Sequence, residues 1–185
     1  MKFAFKENIE PKEIINIRKQ LNLKHKELAS FLNINEKTLR NWESEDDLVK
    51  GPAVVLLQML KYNPGLIDKY KVNDNNAHYL RIYYYDGNNL CAVIDADYKN
   101  DKVIVKNYVD NIYYKPFGRN ENPTIKDFDE FLESRCVPKQ RADIKQYLKQ
   151  IDVPFYDPLM IIEKTEGRCT EDNFSLRIER IKWLI

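Results

Sequence analysis

Apolar side chains recur at helical spacing from position 11 to about 62, and from about position 80 the period drops to two. The first stretch predicts helices with short breaks. Pro11 suits a helical first turn, and Ile14, Ile17, Arg18 and Leu21 fall on one buried stripe. A short second helix over about 25–32 turns Leu28, Ala29 and Leu32 inward, and Asn33-Ile34-Asn35 makes a tight turn. A third helix over Glu36–Glu43 buries Leu39 and Trp42, and the acidic run Glu43-Ser44-Glu45-Asp46-Asp47 ends that unit. Gly51-Pro52 then starts a strongly apolar helix, AVVLLQMLKY, which Asn63-Pro64-Gly65 stops. Apolar on more than one face, this helix either completes the core or forms a dimer seam.

The stretch from about 66 to 78, ending in KVNDNNAH, has the polar, asparagine-rich composition of a linker. Beyond it, Leu80, Ile82 and Tyr84 alternate with Arg81, Tyr83 and Tyr85. Asp86-Gly87-Asn88-Asn89 turns the chain, and Leu90, Ala92 and Ile94 resume the alternation. A second turn at Lys99-Asn100-Asp101 leads into Val103-Ile104-Val105, which gives three antiparallel strands in a meander. Helical spacing returns at Ile125, Phe128, Phe131 and Leu132, then at Ile144, Tyr147, Leu148 and Ile151, and again around Leu159 to Ile162. The end, FSLRIERIKWLI, fits a closing strand or a closing helix. The predicted architecture is an N-terminal all-α helix-turn-helix bundle over residues 1–66, a linker over 67–78, and an α+β domain over 79–185 with an antiparallel β-meander and helices.

Composition narrows the function. With 43% hydrophobic residues the 185-residue chain builds a real core. Its 30 basic and 29 acidic residues leave +1, so any nucleic-acid surface has to be a local patch. No apolar run approaches the roughly 18–20 residues of a membrane span, and MKFAFKENIEPKEII lacks the apolar stretch of a signal peptide. A soluble, cytoplasmic protein is expected. Cys91, Cys136 and Cys169 are too dispersed for a disulfide framework or a zinc ribbon and read as buried small apolar residues. The glycines form no phosphate-cradling loop, and His25 and His78 stand far apart with no nucleophile signature or metal-ligand spacing beside them. Asp127 with Asp129 reads as a solvated helix face and Asp95 with Asp97 as a strand edge. Neither catalysis nor a cofactor is expected.

Helix, short helix, three-residue turn, helix is the outline of a helix-turn-helix, and the side chains meet its requirements. Ala29 is the small residue where the two helices cross. Asn33 is the best non-glycine choice for a left-handed turn, and Asn35 is a favoured N-cap. Leu28, Leu32, Ile34, Leu39 and Trp42 occupy the positions that glue the helices. LNLKHKELASFLNINEKTLRNWE resembles the helix-turn-helix of the Xre/Cro repressor family, whose usual form is close to "gLtqeelAellgvs..tisrWE.g", and the resemblance covers residues 10 to about 62. It implies an operator in double-stranded DNA, a homodimer, and a third helix that reads the major groove through Glu36, Lys37, Arg40 and Asn41. The resemblance also implies that Thr38 and Lys24 sit near the DNA backbone. The family usually has Ser or Thr, then Gln, where this chain has Lys24 and His25, so the usual cap and phosphate-contacting glutamine are replaced by groups that serve phosphates by charge. Glu27 still supplies half of a capping box. Residues 11–42 carry seven basic and three acidic side chains, a local excess of positive charge on a near-neutral chain.

Tyr79, Tyr83, Tyr84, Tyr85, Tyr113 and Tyr114 make the strand region aromatic, which suits half-exposed strands, base stacking, or a partner-binding face. Further on, Phe131, Arg135, Pro138, Arg141, Tyr156, Asp157, Thr165, Gly167, Arg168 and Asp172 form a pattern similar to a segment of bacterial proteins encoded beside HipA-like kinases. That similarity implies a toxin or other protein held by the C-terminal domain. On the residues alone, Pro138 starts a helix, Gly167 ends one, and Arg135 and Arg141 are structural ion-pair partners. The expected function is a sequence-specific repressor of its own operon, with no membrane partner, in its sharper form the antitoxin of a toxin–antitoxin pair. The alternative is a phage or mobile-element protein whose C-terminal domain is a protein-binding effector and whose helix-turn-helix is regulatory.

Overall fold

In the computed structural model, which describes residues 4–75 and 80–179, the chain divides into two compact units, Met1–Lys71 and Val72–Ile185. The first unit is helical. Helices α1 (Pro11–Gln20), α2 (His25–Phe31), α3 (Glu36–Ser44) and α4 (Pro52–Tyr62) close on Ile14, Ile17, Leu28, Ala29, Leu39, Val54, Leu57 and Leu60, all essentially buried. Proline opens α1 and α4, where its missing N–H costs nothing. Asparagine makes both short turns: Asn22 follows α1 at φ 52° and Asn33 follows α2 at φ 54°, a left-handed conformation that asparagine tolerates better than most side chains. Asn35 caps α3 by accepting the Lys37 amide at 2.8 Å.

Two features depart from the sequence reading of this unit. It is not wholly helical, because β1 (Asn8–Ile9) pairs antiparallel with β2 (Val49–Lys50). The pairing buries Ile9 and Val49 against the helices, and two-residue strands are too short to show an alternation. The buried Gln58 side chain ties the preceding segment to α4, accepting from the Lys6 amide at 3.1 Å and donating to its carbonyl at 3.3 Å. The stretch read as linker begins with a fifth helix, α5 (Leu66–Tyr70), whose Ile67 packs into the same core. At five residues it gives too little period to stand out from its polar surroundings.

The second unit is α+β. Its four strands, β3 (Leu80–Asp86), β4 (Asn89–Asp97), β5 (Lys102–Asn107) and β6 (Phe174–Glu179), form an antiparallel sheet in the order β5-β4-β3-β6. The expected meander is present, and the undecided C-terminal segment is a strand over Phe174–Glu179. The rest of that segment, from 180 to 185, lies outside the described residues, as do His78 and Tyr79. Ile82, Tyr84, Ala92, Ile94 and Leu176 form one sheet face, packed against Phe128 and Leu132 of α6 (Ile125–Ser134) and Ile162 of α8 (Pro158–Thr165). Helix α7 (Ile144–Gln150) packs through Leu148 on Val153 and Ile161. Among the described residues no helix is long and apolar enough to cross a membrane.

The paired aspartates have internal roles. Asp95 is no free strand-edge carboxylate: it accepts a two-pronged hydrogen bond from the buried Arg81 at 2.6 and 2.8 Å. Strand register places the two side by side, with Arg81 opposite Asp95 on β3 and β4. Asp127 closes a capping box with Thr124 at the start of α6, and Asp129 accepts from the Tyr98 hydroxyl at 2.7 Å.

Most of the C-terminal motif is internal scaffolding. Arg135, which caps α6 and is 9% exposed, donates to both Asp172 oxygens at 2.7 and 3.0 Å and to the Gly167 and Phe174 carbonyls at 3.0 and 3.1 Å. One guanidinium thus joins the end of α6 to the turn after α8 and the start of β6. Gly167 ends the α8 turn at φ 57°, where an added Cβ would meet the Leu176 side chain at 2.5 Å. Asp157 caps α8 through the Met160 amide, and Tyr156 donates to the Val137 carbonyl. Arg141 pairs with Asp143. Pro138 starts no helix: it lies in a turn, and α7 begins at Ile144.

Candidate nucleic-acid interface

Helix α3 presents two sides of different character. Leu39 is fully buried and Trp42 packs against the core, while Lys37, Arg40 and Asn41 are exposed. Spacing accounts for this: residues three to four apart share a helix face, so a helix held through 39 and 42 turns 37, 40 and 41 outward. The turn that delivers it is closed by backbone hydrogen bonds. The Ile34 amide donates to the Ala29 carbonyl at 2.9 Å across the left-handed Asn33, so the α2–α3 angle is set by backbone bonds and the Asn35 cap together.

Glu36, the first residue of α3, is half-buried and accepts from Arg40 Nε at 3.0 Å and Nη2 at 2.5 Å. This i,i+4 pair holds the Arg40 side chain along the helix surface, though its side chain remains 57% exposed. Thr38 is half-buried. Lys24 is the exposed N-cap residue of α2; its amide donates to Glu27 at 2.6 Å, the half capping box that the sequence predicts.

His25 is turned inward instead of standing free beside Lys24. Its Nε2 lies 3.1 Å from a Glu43 carboxylate oxygen. The same carboxylate accepts from Arg18 Nε at 2.7 Å and Nη2 at 2.8 Å, and Arg18 also donates to the Leu23 carbonyl. Glu43 therefore joins α1, the start of α2 and the end of α3 through one side chain. The sequence places Arg18 on an apolar stripe, which is the signal that it needs a partner; the partner itself lies 25 residues away. Arg18 is accordingly not part of the outward basic charge. Lys12, Lys19, Lys24, Lys26 and Lys37 are exposed and form no ion pair among the described residues, and they supply the charge that phosphates would meet.

Burial pushes the Glu43 carboxyl up, but the Arg18 hydrogen bonds and charge, with His25, outweigh it and hold the group below its ordinary value of 4.5. Glu13 is also held down, first by its hydrogen bonds to Lys6 and Lys61. A carboxyl with a depressed folded pKa contributes stability above the unfolded value and loses it as pH falls through the folded one. The melting temperature of the chain is therefore expected to drop as pH is lowered below the ordinary carboxylate range. The drop should be smaller for Glu43→Gln, which has no charge to lose. Equal acid sensitivity of the two proteins would show that the Arg18–Glu43 pair is not a source of this stability.

No family model matches the chain. Over 57 residues, 31% of its length, it is 39% identical to the antitoxin HigA-2 of Vibrio cholerae serotype O1, and over that stretch it is similar to an antitoxin. The chain spans about half the length of this curated relative, 55% of it.

Proposed function

We propose that this protein is a sequence-specific DNA-binding repressor of antitoxin type. Its N-terminal unit acts as an Xre-type helix-turn-helix, it represses its own operon by occluding promoter DNA, and its C-terminal unit holds a toxin. The observation that carries the reading is the outward row Lys37, Arg40 and Asn41 on a helix whose other side is fixed in the core. Arginine and lysine suit guanine edges and asparagine suits adenine, and five exposed lysines, four on α1, α2 and α3 and Lys24 at the N-cap of α2, suit phosphates. The partial similarity to an antitoxin supports the same reading. The chain acts as a homodimer on this account, because a two-fold protein matches a palindromic operator. Helix α4 offers a seam: Val54, Leu57 and Leu60 complete the core while Met59 and Tyr62 stay exposed. The reading calls for no catalysis and no cofactor.

The test is a gel shift of the full chain against DNA from upstream of its own coding sequence, with random DNA as competitor. A shift that survives the competitor and saturates at two chains per site is expected. Equal affinity for both DNAs would sink the operator reading.

A further inference from the structure

The C-terminal unit carries a hollow of about 740 Å³ beside α7. Its floor is apolar, built from Ile144, Leu148 and Val153. At its mouth stands Phe155, 59% exposed, an apolar ring left in water next to an apolar floor. The rim is cationic. Lys145 and Lys149 stand one helical turn apart on α7 and form no ion pair among the described residues. Lys139 lies 5.8 Å over the Tyr156 ring. The one acidic side chain of the lining, Asp152, is exposed to solvent and lies 3.6 Å from Lys164, so three lysines face one carboxylate around the hollow.

This arrangement suits a protein segment better than a small ligand. Small-molecule sites orient their ligands with a few convergent polar groups inside an enclosed cavity. Here the lysines are exposed, and the partly buried hydroxyl of Tyr156 is already given to the Val137 carbonyl. The cations stand on long stems around an apolar centre, as carboxylates spaced along a chain on either side of an apolar anchor would require.

We infer that the hollow takes an aromatic or branched aliphatic side chain from an acidic segment of the partner protein, with Lys145 and Lys149 facing its carboxylates. The inference rests on the C-terminal unit being partner-binding and does not depend on operator binding. The test is a display library of random twelve-residue peptides selected on the immobilised full chain, followed by fluorescence polarisation with one labelled selected peptide. Enrichment of Asp and Glu around an aromatic or leucine is expected, with binding that weakens as salt rises. The double variant Lys145→Glu/Lys149→Glu should lose tenfold or more in affinity with an unchanged melting curve, and Phe155→Ala should lose affinity as well. Selected peptides that bind parent and both variants alike, or that lack acidic enrichment, would overturn the site while leaving a partner-binding unit standing. A selection that yields no binding peptide would likewise overturn the hollow as a docking site for an acidic segment.

Discussion

Replacing Asp172 with alanine is expected to destabilise the C-terminal unit by about 3–5 kcal/mol, the range for removing one partner of a buried ion pair. Asp172 accepts twice from Arg135 and once from the Phe174 amide. Its removal leaves a guanidinium that is 9% exposed with two carbonyl partners and no counter-charge. The uncompensated charge, more than the lost hydrogen bonds, sets the size of the effect. For the same reason, Asp172→Ala combined with Arg135→Met should recover part of the loss, since the second change removes the stranded charge and keeps an apolar stem. Urea unfolding of the full chain measures both. A single variant within about 0.5 kcal/mol of the parent, the ordinary scale for surface changes, would show that this cluster does not lock the unit.

Local restrictions on residue type are visible in a sequence, and contacts made only on folding are hidden in it. Asn33 was readable because a left-handed turn restricts residue type, and Leu39 and Trp42 because helical spacing marks the side that must be buried. Arg18 was half readable: its place on an apolar stripe was visible, but the depth of its pairing required knowing that Glu43 reaches back across the turn. The alternation of one strand marks Asp95 only as a strand-edge residue, because its pairing with Arg81 depends on strand register, which that alternation does not reveal. The β1–β2 pair and α5 escaped because two and five residues carry no measurable period. Strand β6 alternates Phe174, Leu176 and Ile178, yet it pairs with β3, whose register partners lie some ninety residues away, and no local signal reports that distance. The C-terminal motif was recognisable as a pattern but not as a lock, since its residues meet only when α6, the α8 turn and β6 come together.

On the proposed reading, Arg40→Ala and Asn41→Ala should each weaken operator binding by about 1–3 kcal/mol while leaving non-specific binding nearly unchanged. Both side chains are exposed, so folding should stay within about 0.5 kcal/mol of the parent. The Glu36–Arg40 pair adds a condition. In the free protein Arg40 is held by Glu36, and a guanine edge must replace or share that carboxylate. Arg40→Ala therefore removes a base contact and also the Glu36–Arg40 pair. Exposed i,i+4 pairs contribute only about 0.3–0.5 kcal/mol, so the loss of base contact dominates. Lys24→Ala should behave differently, because an exposed ammonium at the start of α2 reads no base. It should weaken operator and random DNA about equally and reduce the salt slope by about one unit, the signature of one lost phosphate contact. The measurement is operator and random-DNA affinity across a salt series for the three variants, with melting curves as controls. Parent-like operator binding by both Arg40→Ala and Asn41→Ala would mean that α3 is not the reading helix, however well its outward row is placed.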